Sequence, residues 1–265
     1  TIVGATSGDT GSAAIRAVAG RPGIDIFMLH PHGRVSDVQR RQMTTVVDSN
    51  VHNIAIDGSF DDAQALVKAL FNDADFRREQ NLSAVNSINW ARLLAQIVYY
   101  FYAAVRLGAP ERVLSFSVPT GNFGDVFAGY AARAMGLPIG RLLVATNVND
   151  ILARALNSGD YSVGTVTPTA TPSMDIQVSS NFERLLFDLH GRDGAALAAT
   201  MKGFEAGGRL HLGEAQRRQA ADAFVAQRID EAETKAAMAR TYATSGLVID
   251  PHTAVAMAAA RLRAD

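Results

Sequence analysis

The sequence predicts an α/β protein built on doubly wound, mostly parallel sheets. Short apolar segments that suit buried strands alternate with amphipathic segments that suit helices, and parallel sheets joined by crossover helices have this pattern. The chain has 265 residues, of which 48% are hydrophobic and 19% charged. A chain of this length and composition is able to bury a large core, as one large domain or two smaller ones.

Strand-like and helix-like segments alternate throughout the first 150 residues. The predicted strands are residues 1–5, 24–30, 51–57, 83–88, 113–119 and 141–147. The predicted helices between them cover residues 10–20, 36–47, 59–73, 89–108 and 126–136. Ser59 has the side chain of a helix N-cap, and the apolar positions after it, Ala63, Leu66, Val67 and Leu70, repeat at intervals of three and four. Six strand–helix units fit a single doubly wound sheet.

Two of these helices carry predictions about packing. In and just before residues 36–47, four apolar residues are expected roughly on one face, which would be buried: Val35, Val38, Met43 and Val46. The segment 89–108 is apolar nearly all round, which predicts a helix buried between layers. Its four consecutive aromatic residues, 99–102, are therefore expected in the core.

The pattern changes after Asn149. Residues 163–180 are rich in proline and small polar side chains, which indicates an ordered loop without strands. The rest is mostly helical, with a charged, solvated helix at 214–240, and residues 245–257 are predicted as a strand, a turn and a last helix. We therefore divide the chain into an α/β core of one or two subdomains, 1–150, and a loop with a helical part, 151–265, that returns a strand and a turn to the core.

The composition excludes several classes of partner and site. With 25 basic and 26 acidic residues, the chain has no surplus of positive charge for nucleic acid. The absence of cysteine excludes disulfides and thiolate chemistry. There is no apolar run long enough to span a membrane, and the six histidines lack metal-ligand spacing, so neither a membrane nor a metal is expected. We predict a small-molecule partner, and either a monomer or a homodimer.

Two glycine-rich turns between a predicted strand and a predicted helix suit anions. The first, Thr6–Gly11, combines glycines and hydroxyls with a helix N-terminus, although a purely structural turn would look the same. It lacks the spacing of an ATP or NAD loop. The second, Pro119–Asp125, has Gly121 and Gly124, and a capped turn is again the alternative. Together the turns favour a ligand set with two anionic groups, such as a cofactor phosphate and a substrate carboxylate.

Arg92 is a candidate for binding a further phosphate. A guanidinium on an apolar helix needs a partner, because an unpaired buried charge is costly. A bound phosphate would accept bidentate hydrogen bonds from it, and Asn86 and Ser87 in the preceding turn would add donors. Pairing with an internal carboxylate is the alternative.

Six motifs in the same order resemble the threonine synthase family of pyridoxal-phosphate (PLP) enzymes, which have the fold of the tryptophan synthase β subunit (fold type II). They are ATSGDTG (5–11), NSINWARLLAQ (86–96), VPTGNFGD (118–125), ATNVND (145–150), PSMDI (172–176) and DPHTAVA (250–256). The resemblance implies PLP as cofactor and conversion of O-phospho-L-homoserine and water to L-threonine and phosphate. A serine or threonine dehydratase of the same fold and a non-catalytic, ligand-binding relative are the alternatives.

The resemblance also implies site residues. For the cofactor, Asp9 lies near the ring hydroxyl, Thr253 donates to the pyridine nitrogen, and the phosphate is held by Gly121, Asn122, Phe123 and Gly124. The implied substrate-binding residues are Thr6, Ser7 and Thr10 for the carboxylate, Asn86, Ser87 and Arg92 for the phosphate, and Asp125 beside that phosphate pocket. A cytoplasmic, bacterial enzyme is expected.

The chain departs from the family in one respect, because no catalytic residue is found in it. The family's Schiff-base lysine lies upstream of the first loop, and none of Lys68, Lys202 and Lys235 matches that position; all three are expected on the surface. Since the sequence begins inside a predicted core strand, we expect a piece of a longer enzyme, truncated at the N-terminus and inactive alone. A standalone relative that binds without catalysing is the alternative.

Overall fold

The structure, a computed structural model, describes residues 1–6, 8–85 and 89–263, apart from the side chain of Asp61. The chain forms two compact units, Thr1–Asn89 and Trp90–Asp265. Each unit has its own parallel sheet, so the strands do not form the single sheet that the sequence suggested. The doubly wound, mostly parallel fold class itself is confirmed.

The first unit alternates strands and helices as predicted. Its strands are β1 Ile2–Ala5, β2 Ile26–Pro31, β3 Val51–Ile56 and β4 Ser83–Ala84. Its helices are α1 Asp9–Val18, α2 Asp37–Thr44, α3 Phe60–Asn72 and α4 Ala74–Glu79. The strands pair in the order β3-β2-β1-β4, and all the pairs are parallel.

Both faces of this sheet are covered, because successive side chains of β2 enter different clusters. Met28 packs in the cluster with Met43 of α2, whereas Leu29 packs with Ala63 of α3. Met43 is fully buried, as predicted, but Val38 is 67% exposed, since it lies on the opposite side of the short α2. The predicted N-cap of α3 is confirmed: the Ser59 hydroxyl accepts from the backbone N–H of the third helical residue in a capping box.

The second unit contains the remaining elements. Its strands are β5 Leu114–Pro119, β6 Ile139–Thr146, β7 Asp160–Ser162, β8 Arg209–His211 and β9 Phe224–Arg228. Its helices are α5 Trp90–Arg106, α6 Gly124–Ala134, α7 Ile151–Ser158, α8 Phe182–Leu189, α9 Gly194–Gly207, α10 Glu214–Ala221, α11 Glu231–Ser245 and α12 Pro251–Leu262. Residues 163–180 contain only a 3-10 turn, Pro172–Met174, which confirms the predicted loop without strands.

The second unit is also doubly wound, around the parallel sheet β5-β6-β9. Leu142 and Val144 of β6 face one buried cluster, and Leu143 and Ala145 face another that contains α12. Because β9 pairs with β6, residues beyond 150 are part of the same sheet as residues before it. The contacts accordingly divide the chain after Asn89, and the functional division at residue 150 stays a prediction.

Two segments of the C-terminal part differ from the prediction. The predicted helix 214–240 is interrupted by β9, where Phe224 and Ala226 are buried against β6. The predicted strand near residue 247 is an irregular, exposed segment, with Val248 85% exposed. The strand that returns to the sheet is therefore β9. Alternate side chains of β9 are buried, whereas those around residue 247 are exposed. The short antiparallel pair of β7 and β8 was not predicted.

Only one face of α5 is buried, which corrects the expectation of a helix enclosed on all sides. Leu93, Ile97 and Tyr100 are buried at helical spacing, and Ala104 continues the same face. The opposite face is exposed, including two of the four aromatic residues expected in the core, Tyr99 and Tyr102. Hydrophobicity all round the helix therefore did not indicate burial all round.

Two further sequence expectations concern exposure. Lys68, Lys202 and Lys235 are all exposed, as predicted. Over the residues that the structure describes, none of the helices has both the length and the hydropathy needed to cross a membrane.

We expect Leu93→Ala to lower the free energy of unfolding by about 2–5 kcal/mol, because it leaves a cavity where the side chain is fully buried. The matched variant Leu94→Ala, one residue further along α5 and 50% exposed, should cost no more than about 0.5 kcal/mol. Chemical denaturation of both variants measures the difference. Equal losses would contradict a one-sided packing of α5.

Candidate functional site

The first predicted loop, after β1, is shaped by Thr6. The Thr6 side chain is buried, and its hydroxyl oxygen accepts from the backbone N–H groups of Gly8 and Gly11, both at 2.9 Å. Gly8 has a φ of 139°, which disfavours any side chain, and a Cβ there would lie 2.5 Å from Gln39. Thr6 therefore holds the turn together, and its contact with a substrate stays a prediction.

Asp9 begins α1 and is oriented by a residue that the sequence analysis missed. The Nε2 of Gln39 donates to Asp9 Oδ1 at 2.6 Å, and the Ser36 hydroxyl donates to Gln39 Oε1 at 2.8 Å. Gln39 is buried although it is polar, which fits a side chain that is held by such contacts. Nothing in the sequence marks it, because its partner is 30 positions away. Thr10 follows on α1, and Ser7 lies outside the described residues.

The second predicted loop, after β5, presents backbone N–H groups. Among the described residues, the N–H groups of Gly121, Asn122 and Phe123 donate to no protein acceptor, and Gly124 N donates to Asn122 Oδ1 at 2.8 Å. Phe123 is in the left-handed region with φ 64°, a conformation that turns successive N–H groups into one concavity. Helix α6 starts here, so its positive end adds to the site. The loop has the features of an anion cradle.

Packing maintains this unusual backbone. The Phe123 side chain is fully buried and contacts the rings of Phe182 and Phe224, at centroid distances of 5.2 and 5.5 Å. A Cβ on Gly121 would lie 2.8 Å from the carbonyl oxygen of Ser173, so only glycine fits. These observations show that the loop is rigid and close-fitting. A phosphate group, with several acceptor oxygens, fits such donors.

The carbonyl groups of the same loop face protein. Ser179 Oγ donates to the Gly121 carbonyl at 2.8 Å, and the backbone N–H of Asn181 donates to the Asn122 carbonyl at 3.0 Å. The Asn181 side chain donates to the Asn122 carbonyl as well, at 3.2 Å. The sequence analysis did not identify Ser179 and Asn181, since hydroxyls and amides in a loop carry no motif of their own.

Thr253 lies in the first turn of α12 and is exposed. Its helix is fixed to β5 by a hydrogen bond from Ser117 Oγ to the Ala256 carbonyl, at 2.7 Å. Ser117 is two residues before the end of β5, where the cradle loop follows. Thr253 is therefore three residues from this contact between α12 and β5, and the cradle loop, Gly121–Gly124, begins four residues after it.

Arg92 and Asp125 are both in the second unit. Burial lowers the pKa of the Arg92 guanidinium, which remains a cation at neutral pH. Asp125 is at the start of α6 and lines a pocket of about 200 Å³ with Tyr99, Phe116 and Pro119. Asn86 and Ser87, the other predicted phosphate ligands, lie outside the described residues.

The environment of Asp125 disfavours its charged form. Its Oδ1 atom is buried and, within the part of the chain described, has no hydrogen-bond partner. Burial raises the pKa of the Asp125 carboxyl, an effect that the Tyr100 hydroxyl reduces. The Tyr100 hydroxyl also donates to the backbone carbonyl oxygen of Asp125 at 2.9 Å. Burial raises the pKa of the Tyr100 hydroxyl too.

We expect Asp125→Asn to become more stable relative to the unchanged protein as the pH rises from about 4 to about 8. A raised pKa means that the folded protein keeps the proton to a higher pH than the unfolded chain, so ionisation costs stability. Denaturant titrations across this range measure the difference, and Asp222→Asn, which removes an exposed carboxylate, controls for net charge. A pH-independent difference would contradict the buried position of the carboxyl.

Comparisons with known proteins show relatives that match nearly all of this chain. A threonine synthase of Pseudomonas aeruginosa is 56% identical over 260 residues, which are 98% of this chain and 55% of that protein. A solved PLP-bound threonine synthase from Brucella melitensis matches all of this chain and 57% of its own, with a TM-score of 0.92 and 55% identity. The resemblance seen in the sequence is confirmed.

A more distant match concerns the fold alone. A maize serine racemase structure is 17% identical with a TM-score of 0.66, over 98% of this chain and 65% of its own. The chain spans about half the length of the curated relatives it matches. The family described as pyridoxal-phosphate dependent enzymes matches residues 1–265, and the chain belongs to this family.

Proposed function

We propose that the protein is a threonine synthase, which converts O-phospho-L-homoserine and water to L-threonine and phosphate. The observation that carries the proposal is the anion cradle at Gly121–Gly124, in a chain 56% identical to a threonine synthase over nearly all of its length. The proposal concerns the activity of the intact protein, because the chain corresponds to 55% of that relative.

The cradle loop would hold the cofactor phosphate. The N–H groups of residues 121–123 have no acceptor in the part of the chain that the structure describes, so they can donate to a ligand. The N-terminus of α6 adds positive potential, and phosphate binding there needs no lysine, arginine or mobile side chain. Bound PLP supplies the electron withdrawal that makes the α and β protons of an amino acid removable. The protein contributes binding, orientation and proton transfer.

Two side chains would adjust the cofactor ring. We assign to Thr253 the hydroxyl that donates to the pyridine nitrogen, which leaves that nitrogen without a proton. Asp9, held by Gln39 at 2.6 Å, would lie near the ring hydroxyl and influence its protonation.

Arg92 would bind the phosphate of the substrate, with Asn86 and Ser87. Its partial burial makes a bound dianion more favourable, because an ion pair is screened less where water is scarce. Thr6, Ser7 and Thr10 are assigned to the substrate carboxylate. An ionised Asp125 beside that pocket would repel a phosphate, and burial reduces this repulsion because it raises the pKa of the Asp125 carboxyl.

The Schiff-base lysine would come from outside residues 1–265. Lys68, Lys202 and Lys235 are exposed, whereas a catalytic amine has to reach the cofactor. The remaining parts of the proposal rest on the sequence alone. They are a cytoplasmic location in a bacterium, the absence of nucleic-acid and membrane partners, and a monomeric or homodimeric state.

We expect Arg92→Lys, in the intact protein, to lower kcat/KM for O-phospho-L-homoserine about 10- to 100-fold, because lysine replaces a bidentate fork by a point charge. The Kd for PLP should stay unchanged. Phosphate release and a PLP titration measure the two quantities, and Arg106→Lys, in the last turn of the same helix, is the control. Unchanged kcat/KM would remove Arg92 from the substrate site, and efficient turnover of serine or threonine without phosphate release would favour a dehydratase.

We expect Gly121→Ala to weaken PLP binding by more than about tenfold, since the new Cβ would displace the Ser173 backbone and distort the cradle. Gly203→Ala in α9, where a Cβ meets no atom within 4 Å, is the matched control and should bind PLP normally. Spectroscopic titration with PLP gives both dissociation constants. Normal PLP binding by Gly121→Ala would show that the loop does not hold the phosphate.

A further inference from the structure

Asp175 is the centre of a polar network that no step proposed above uses. Its carboxylate accepts four hydrogen bonds: Asn147 Nδ2 at 2.8 Å, Asn149 Nδ2 at 2.9 Å, Thr169 Oγ1 at 2.7 Å and Thr169 N at 2.7 Å. Four bonds use the normal accepting capacity of an ionised carboxylate. The network joins the motifs 145–150 and 172–176, to which the resemblance assigned no role.

The network holds in place a segment that has little regular secondary structure. Residues 167–181, here called the strap, contain one 3-10 turn and no strand. Asn149 pairs with both backbone groups of Thr167, donating at 2.9 Å and accepting at 2.8 Å. Asn147 and Asn149 follow β6 and are almost completely buried, so they fix the strap to the sheet.

The strap in turn contacts the cradle loop at three points. The Ser173 and Met174 backbone lies against Gly121, where an added Cβ would be 2.8 and 3.0 Å away. Ser179 Oγ donates to the Gly121 carbonyl, and Asn181 donates to the Asn122 carbonyl. The peptide carbonyls are thus held on the strap side.

We propose that Asp175 is a positioning residue for phosphate binding: its carboxylate fixes the strap, and the strap orients the peptide groups of the cradle loop. The proposal rests on the assignment of this loop to the cofactor phosphate. A peptide whose carbonyl is held cannot rotate freely, so the neighbouring N–H groups stay directed at the ligand. Without the carboxylate, the four hydrogen bonds to it are lost, and the strap is held to Asn147 and Asn149 by fewer contacts.

The principal test is Asp175→Asn in the intact protein, freed of cofactor and titrated with PLP and with pyridoxal, which lacks the phosphate. An asparagine keeps the shape but turns an NH₂ group toward donors. We expect the Kd for PLP to rise about 10- to 100-fold, equivalent to about 1.4–2.8 kcal/mol. The Kd for pyridoxal should change less than about threefold, because pyridoxal makes no contact with the cradle.

A milder variant keeps the test decisive if Asp175→Asn does not fold. Ser179→Ala removes one hydrogen bond between strap and cradle, and should raise the Kd for PLP about three- to tenfold. The matched controls are Ser158→Ala, which loses a hydroxyl bond to the Arg154 carbonyl, and Asp193→Ala, which loses a carboxylate that accepts two backbone N–H groups in α9. Both controls should bind PLP normally.

The outcomes separate this proposal from the assignment of the loop. If the unchanged protein binds PLP no better than pyridoxal, the loop does not hold a phosphate, and both proposals fail. If the unchanged protein prefers PLP but Asp175→Asn and Ser179→Ala keep the same preference, only the role of the strap fails. Equal weakening of PLP and pyridoxal, or weakening by the control variants, would indicate general destabilisation and would also overturn it.

Discussion

The arrangement of the second unit depends on the backbone of residues 121–124, whose N–H and C=O groups are divided between two environments. The carbonyls of Gly121 and Asn122 are bound by the strap, whereas the N–H groups of residues 121–123 have no acceptor among the described residues. Unpaired N–H groups are costly where they are withheld from water, so three of them together suit a ligand or water that accepts from them. The buried Phe123 ring, the close approach of Ser173 to Gly121 and the network around Asp175 all maintain this division.

In the first unit, the backbone N–H groups of the corresponding turn are left without acceptors to a smaller extent. The turn after β1 also joins a parallel strand to a helix, but there the Thr6 hydroxyl already accepts from two of its N–H groups. The first turn is thus partly satisfied by the protein, and its distinctive feature is the oriented Asp9 carboxylate. Ligands of parallel α/β sheets bind at the carboxyl ends of the strands, and the loop in each unit lies at such an end. The two turns differ in what they present there: one a carboxylate, the other backbone donors.

Two aspartates of the second unit show how the surroundings determine the role of a carboxyl. Asp175 receives four hydrogen bonds, so its charge is compensated and organises the strap. Asp125 has a buried oxygen with no partner among the described residues, and burial raises the pKa of its carboxyl. The first is suited to organising neighbouring donors, and the second to a group that holds a proton more readily than an exposed aspartate does. Asp125 lies in a glycine-rich motif and Asp175 in a proline-containing one, and the sequence does not distinguish the environments of their carboxyl groups.

The sequence by itself determined the alternation of strands and helices, the cap at Ser59, the ordered loop 163–180 and the position of both anion-ready turns. These depend on local patterns: apolar period, capping residues and glycine spacing. Only the tertiary structure decided that the parallel strands form two sheets, that β9 rather than the segment near Val248 joins β6, and that α5 buries one face. It alone identified Gln39, Asp175 and Ser179, because each has a decisive partner 26 to 58 residues away along the chain, in one case a backbone carbonyl that carries no sequence signal. The local sequence pattern determines where a loop occurs in the chain, and long-range packing determines which of its atoms are available to a ligand.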